Sequence, residues 1–293
     1  MDGILNIHKP TGMTSHDVVA RVRKLLKQRR VGHAGTLDPA ASGVLPICIG
    51  QGTRVAEYLS ESGKEYQATL VFGSETDTYD AEGEITRTAS TAGLELASIE
   101  QALAQFRGPQ MQVPPRYSAL KIQGQAAYKR ARAGEELTLA ARPIEISHLA
   151  IVSWQSPQLV LDVACSKGTY IRSLAYDLGR ALECGAHLGG LVRTRSGPFV
   201  LTDSVTLEDL ANACMENKAA DLLYAADKAL ERYPSLRLNA EEAARVLHGN
   251  AFSYTTTETE QELARVYNAS GDFIAIAAWE PQTGYWQPKK VFG

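Results

Sequence analysis

The chain has 293 residues, 44% hydrophobic and 22% charged, with a formal net charge of −3. That size and balance fit a large folded domain with a small second one, and exclude a disordered or low-complexity chain. No apolar run approaches the ~18 residues of a membrane helix, and the N-terminal MDGILNIHKP lacks the form of a signal peptide, so no membrane is expected and the cytoplasm is the expected location. Cys48, Cys165, Cys184 and Cys214 form no C-x-x-C pair and have no zinc-like spacing to histidine. They read as buried free thiols. No glycine-rich phosphate loop occurs either, so neither a metal nor a cofactor is expected.

In chain order, ILNIHKP (4–10) reads as a short strand. Thr14 or Ser15 can cap a helix whose apolar face is Val18, Val19, Val22, Leu25 and Leu26. Asp38-Pro39 reads as a turn, GVLPICIG (43–50) as a buried strand and GTRVAEYLS (52–60) as a short helix. EYQATLVFG (65–73) alternates, which puts Tyr66, Ala68, Leu70 and Phe72 on one face of a strand. GSETDTYDAEGEI (73–85) reads as a loop and ASIEQALAQFRG (97–108) as a helix ended by Gly108. The polar, basic stretch from about 109 to 142 reads as an insertion. LVLDVACSKGTYIRSLAYDLGRAL (159–182) is a strand, a tight turn at Lys167-Gly168 and a helix.

The composition shifts after about residue 230. LRLNAEEAARVLHGNAF (236–252) gives a strand and a helix, and ELARVYNASGDFIAIAAWEP (262–281) two strands around Ser270-Gly271. Strands and helices alternate without the spacing of a parallel array, so the fold class is α+β. The domains divide as 1–230 and a small β-rich 231–293.

Charge divides along the same line: residues 1–202 are net basic and residues 203–293 net acidic. RVRKLLKQRR (21–30) carries no acidic residue, and a second basic run lies in 107–142 with tyrosines between its cations. Basic stripes interleaved with aromatics suit a phosphate backbone, although each run alone also fits a solvated face. In the acidic C-terminal part, RNA contacts would come from local groups such as Lys289 and Lys290.

GHAGTLDPAASGVL (32–45) holds one carboxylate among small residues. Asp38 before proline is either an ordinary turn-former or a reactive group in a loop that lets a flat ligand approach the backbone. His33, five residues earlier, is either structural or part of the same wall.

The sequence resembles the bacterial TruB-type tRNA pseudouridine-55 synthases. The likeness rests on HKPTGMTSHDVV (8–19), VGHAGTLDPAASGVL (31–45), PPRYSALKIQGQAAYKRAR (114–132) and CSKGTYIRSLAYDLG (165–179). It covers nearly all of residues 3–202; the C-terminal segment resembles the family's PUA RNA-binding domain only loosely. The resemblance implies a mixed, largely antiparallel sheet and isomerisation of one T-loop uridine, reached by base flipping. It also implies a stand-alone, monomeric enzyme whose partner is the T-arm of tRNA.

The resemblance assigns Asp38 as the essential aspartate and Arg172 as its ion-pair partner, which keeps it ionised and fixes its rotamer. It places Tyr66 against the extracted base, with a hydroxyl able to abstract a proton. Tyr170 and Leu191 match uridine contacts, and His33 lies against the place the base vacates. The insertion 109–142 resembles the family's RNA-gripping thumb, with Lys121, Lys129, Arg130 and Arg132 as candidates for the RNA backbone.

Three other readings compete. A glycosidase needs a second carboxylate, for which Asp77 and Asp80 are the nearest candidates. A pure RNA-binding protein needs no Asp38 chemistry. A guide-RNA-dependent relative needs partner proteins; the bacterial-type insertion and the lack of a Lys-rich tail favour the stand-alone enzyme.

Overall fold

The computed structural model describes residues 1–118, 120–122, 125–126, 130, 135, 139–254 and 262–293. Strand β1 (Gly3–Lys9) leads into helix α1 (Ser15–Leu26), which Thr14 caps. The Thr14 hydroxyl accepts from the Asp17 amide at 3.0 Å, and the Asp17 carboxylate accepts from the Thr14 amide at 2.9 Å. This reciprocal pair satisfies two donors that the first turn leaves open, and its hydrogen bonds hold the Asp17 carboxyl below its ordinary pKa. Val18, Val19 and Val22 pack into a core with Leu5, Leu45 and Ile47, while the basic residues of 21–30 all face solvent.

Strands β2 (Val31–His33) and β3 (Ser42–Ile49) flank the Asp38 loop. A 3-10 turn (Gly50–Val55) and helix α2 (Ala56–Ser60) lead to β4 (Lys64–Phe72). Next come β5 (Ser74–Thr76), β6 (Ile85–Thr88), α3 (Leu96–Leu103) and β7 (Gly108–Gln112). The short β8 (Lys121–Ile122) and β9 (Gln125–Ala126) pair with each other. Long β10 (Arg142–Gln155) and β11 (Gln158–Cys165) precede α4 (Ile171–Ala181) and β12 (Ala186–Ser196). Strand β13 (Phe199–Val200), α5 (Leu207–Met215) and β14 (Leu223–Tyr224) complete the first part.

Strands β5-β6 and β8-β9 make two-stranded sheets of their own, and the other ten form one sheet in the order β14-β1-β3-β12-β4-β11-β10-β7, with β2 on β3 and β13 on β12. Its pairings are antiparallel except that of β12 with β3, which runs parallel at Val192 opposite Ser42 and Arg193 opposite Gly43. A second sheet, β15-β16-β17-β18, comprises β15 (Ser235–Arg237), β16 (Leu263–Tyr267), β17 (Phe273–Glu280) and β18 (Tyr285–Val291), with α6 (Ala240–Leu247) between β15 and β16. The α+β class with a largely antiparallel mixed sheet is the observed one.

Two readings need correction. Residues 74–88 are a hairpin, not a loop: β5 and β6 pair through Ser74–Thr88 and Thr76–Ile85. The insertion starts later than 109, because Gly108–Gln112 pairs with the start of β10 as an edge strand of the large sheet. A proline in that stretch hid the strand; Pro109 is tolerated because an edge strand need not donate on both sides. Lys289 and Lys290, the local RNA candidates of the C-terminal part, each pair with a carboxylate. Lys289 pairs with Glu280 at 2.8 Å, and Lys290 reaches the Arg54 carbonyl at 2.6 Å and pairs with Glu57.

The Lys290 contacts join the second sheet to the first part of the chain. Arg54 lies over the Phe292 ring at 4.8 Å and donates to the Val291 carbonyl. Ile276 and Phe292 share a core cluster with Leu59, Phe199 and Leu230. All four cysteines are free thiols, and Cys48, Cys165 and Cys184 are buried.

Candidate active site

The Asp38 loop is held by its backbone from three directions. From α1, Ser15 accepts from the Leu37 amide at 2.9 Å and donates to the Leu37 carbonyl at 3.0 Å. From β1, Lys9 donates to the Pro39 carbonyl at 3.3 Å, and the Gly12 amide to the same oxygen at 2.9 Å. From β12, Arg193 donates to the carbonyls of Gly35, Thr36 and Val44 at 3.2, 3.3 and 2.7 Å. The residues on both sides of Asp38 are therefore fixed, and its carboxylate is left 43% exposed. Gly43 permits this arrangement. Its φ is +105°, and a Cβ there would lie 2.3 Å from the Arg193 carbonyl oxygen.

Arg172, at the start of α4, is buried and reaches the Asp38 carboxylate at 3.1 Å. It also meets Asp80 at 3.3 Å and donates to the Tyr117 carbonyl at 3.0 Å. Asp80 is itself fixed by the Thr78 hydroxyl at 2.6 Å and the Glu82 amide at 3.1 Å. One guanidinium thus ties the Asp38 loop, the 77–84 hairpin turn and the root of the insertion. Charge-assisted contacts of this kind set direction as well as distance.

A cleft of about 340 Å³ opens beside this pair, lined by Asp38, Tyr66, Tyr170, Arg172 and Leu191 among others. Five of the six residues assigned to catalysis or uridine contact therefore meet in one place, although they come from a loop, two strands and the start of a helix. Tyr170 is set by Gln112, whose side chain accepts from the Tyr170 amide at 2.8 Å and donates to its carbonyl at 3.0 Å. Tyr66 lies on β4; burial pushes its phenol pKa up, and the nearby Arg193 charge opposes that rise.

His33 is not among the cleft-lining residues. Its ring packs edge-on against His16 at 5.3 Å, and its buried Nδ1 has no hydrogen-bond partner among the described residues. Burial, then the His16 and Arg193 charges, push its pKa down. His16, which the sequence reading did not single out, lines an adjoining hollow of about 640 Å³ shared with Asp38, Asp80 and Tyr117.

Among the backbone candidates, Arg130 pairs with Glu135 at 2.6 Å. Lys121 stands in β8. Lys129 and Arg132 lie outside the described residues. The root of the insertion reaches the cleft through Leu120.

Lys9, Lys64, Gln112 and Arg193 also went unnoticed as site residues. All four are buried, and in the sequence they look like ordinary surface polar residues. Spacing carries a faint signal for two of them: Lys64 and Tyr66 are two apart on an alternating strand.

Among the described residues no group of three or more His, Cys, Asp or Glu side chains is placed to hold a metal, and no helix is long and apolar enough to cross a membrane. Residues 23–171 match the family model of the TruB family pseudouridylate synthase N-terminal domain. Residues 172–232 match that of the tRNA pseudouridylate synthase B C-terminal domain, and residues 234–292 that of Pseudouridine synthase II TruB, C-terminal. A tRNA pseudouridine synthase B of Dehalococcoides mccartyi is 44% identical over 293 residues, covering 100% of this chain and 97% of that one. One from Symbiobacterium thermophilum is 49% identical over 254 residues, covering 86% and 83%. Among solved structures, a Cbf5-Nop10-Gar1 complex matches with a TM-score of 0.77 at 27% identity, covering 99% of this chain and 85% of that one. An H/ACA RNP bound to a substrate RNA containing 2'-deoxyuridine matches at 0.76 and 26%, with coverage of 99% and 85%.

Proposed function

Since this chain belongs to the TruB family of pseudouridylate synthases, we propose that it isomerises uridine 55 of the tRNA T-loop, with Asp38 as the group that acts at C1′. The coarser activity follows from membership: the protein is a tRNA pseudouridine synthase, an isomerase. The observation that carries the finer reading is the Asp38 carboxylate, 3.1 Å from a buried Arg172 at the edge of a cleft of nucleoside size.

The uridine must leave the T-loop stack to reach this carboxylate, at a cost of a few kcal/mol. Asp38 then either attacks C1′ or assists loss of uracil through a glycal; a carboxylate serves in both. Arg172 fixes the rotamer so that the reacting oxygen meets the sugar without further ordering. Tyr66 packs on the freed base. Its phenol is neutral when the base arrives, so taking the C5 proton requires it to ionise first. Tyr170 and Leu191 hold the nucleoside from the other sides. His33, beside His16, lies against the place the extracted base vacates. The insertion grips phosphates around the T-arm, with Lys121, Lys129, Arg130 and Arg132 as its contacts.

We assign this chemistry to residues 1–230 and a supporting, PUA-like RNA-binding part to 231–293. The protein works alone, as a monomer, in the cytoplasm. The test is purified protein with an unmodified tRNA transcript and no other component. Pseudouridine at position 55 is the expected product. Free uracil would make the protein a hydrolase, and a need for added proteins or guide RNA would remove the stand-alone assignment.

A further inference from the structure

Two cations of the cleft have no role in the chemistry above. Lys64 opens β4 and Arg193 lies on β12, and both line the same cavity as Asp38. Their exposures are 8% and 1%. Lys64 Nζ donates to the carbonyls of Ser62, Ser60 and Leu59 at 2.5, 2.6 and 3.4 Å. Arg193 donates to the Gly35 and Thr36 carbonyls of the Asp38 loop and to the Val44 carbonyl of β3. Every one of these acceptors is neutral, and among the described residues neither cation forms an ion pair.

Arg172, in the same cleft, differs: it meets two carboxylates, Asp38 and Asp80. The cleft therefore carries a surplus of negative charge around Arg172 and two positive charges, Lys64 and Arg193, that no carboxylate matches among the described residues. Those two charges also repel each other. Burial, and then the Arg193 charge, bring the Lys64 pKa down to about 8. Burying an unpaired cation is costly, and a neutral donor would satisfy the same carbonyls. Negative charge delivered by the substrate is what would offset the cost.

The isomerisation generates such charge. When C1′–N1 breaks, its electron pair stays on N1 and spreads over O2 and O4 of the uracil. C5 then supplies an electron pair to form the new bond to C1′, and the C5 proton leaves as N1 gains one. Both routes open to Asp38 pass through cleavage of C1′–N1. We propose that Lys64 and Arg193 form an electrostatic cradle for the uracil anion between cleavage of the old bond and formation of the new one. The proposal rests on the reading that a uridine occupies this cleft with Asp38 at C1′. Preorganised charge aimed at a developing anion in a dry site is a strong source of rate enhancement.

The test uses the full chain and two tRNA transcripts, one with uridine and one with 5-fluorouridine at the target position. Fluorine withdraws electrons from the ring, so its departing anion needs less help from the protein. Lys64→Gln removes the charge and keeps a donor for one carbonyl; Arg193→Gln is the second variant, and circular dichroism checks that each is folded. Single-turnover cleavage of C1′–N1 in the uridine transcript should fall about 100-fold in each, with tRNA Kd within about threefold of wild type. The loss on the 5-fluorouridine transcript should be about tenfold smaller, and Lys64→Arg should restore most of the uridine rate. Equal losses on the two transcripts, a loss confined to Kd, or a folded Lys64→Arg no better than Lys64→Gln would each overturn the cradle. A wild-type protein that leaves the uridine transcript unchanged, or an Asp38→Asn variant with full activity, would instead overturn the reading beneath it.

Discussion

The part of the chain built on the ten-stranded sheet buries charge and the four-stranded sheet does not. Lys9, Lys64, Glu75, Arg172 and Arg193 are all buried in that first part, and every buried polar or charged residue among those described lies before residue 197. The core of the second is apolar throughout, built from residues such as Leu236, Val246, Ala264, Ile274 and Trp286. Its lysines stay at the rim, paired with Glu280 and Glu57. Buried ions cost stability unless they are paired and hydrogen-bonded. The difference fits the division proposed above, with the chemistry in the first part and RNA support in the second.

The strongest way to break this division is Asp38→Asn. Turnover should fall about 10⁴-fold or more, while tRNA Kd stays within about tenfold. Pseudouridine assays and filter binding on the same preparation measure both. A parallel loss of binding would move Asp38 from chemistry to RNA contact.

Arg172→Ala comes next, with kcat reduced about 100-fold or more and KM little changed. The side chain lies against Asp38, Asp80 and the Tyr117 carbonyl, so its removal frees the carboxylate's direction. Steady-state kinetics would expose the alternative, a raised KM at unchanged kcat, which belongs to a phosphate contact.

Phe292→Ala tests the other half. The ring is 8% exposed, packs on Phe273 at 4.8 Å and lies under Arg54. Its loss should lower unfolding free energy by about 3 kcal/mol, with turnover per folded molecule retained. Urea titration gives the first and an assay at low temperature the second. By the same contacts, a chain cut before Tyr233 would lose stability as well as RNA affinity, since Ile276 and Phe292 sit in a core shared with Leu59.

The smallest effect concerns Asp177 on α4, whose carboxyl burial pushes up to about 6. A raised folded-state pKa means the fold holds a proton that the unfolded chain has released. Its stabilising contribution is complete below the unfolded pKa near 3.8 and is lost as pH rises through about 6. Asp177→Asn should therefore stabilise the protein by about 1 kcal/mol at pH 7.5, after discounting for partial exposure. The gain should vanish by pH 4. Thermal melts at the two pH values would show it, and an equal gain at both would mean that packing, not charge, is responsible.

Much of the candidate site was legible because the residues assigned to it sit in dense motifs. LDP fixed attention on Asp38, TSHD announced the helix cap, and EYQATLVF placed Tyr66 by alternation. The supporting layer was not legible. Lys64 and Arg193 look like any basic residue until the fold buries them, and Gln112 carries no local signal at all. Strand β12 was missed because Gly189 and Gly190 interrupt its pattern. The pairing slips at that point, and Gly189 passes within 2.7 Å of the Val71 side chain, measured from an added Cβ. Asp80, considered only as a second glycosidase carboxylate, instead braces Arg172 at 3.3 Å.

The place of β12 in the sheet has a consequence for synthesis. Strands β3 and β4 are separated by only a short helical segment, yet they do not pair with each other; β12 lies between them. A nascent chain that has not yet delivered residues 186–196 holds two open strand edges and no closed cleft. The loop that must close to fill that gap is longer than a hundred residues, which makes the step slow and leaves the edges exposed meanwhile. Catalytic competence therefore arrives late on the ribosome and all at once, with the insertion of one strand.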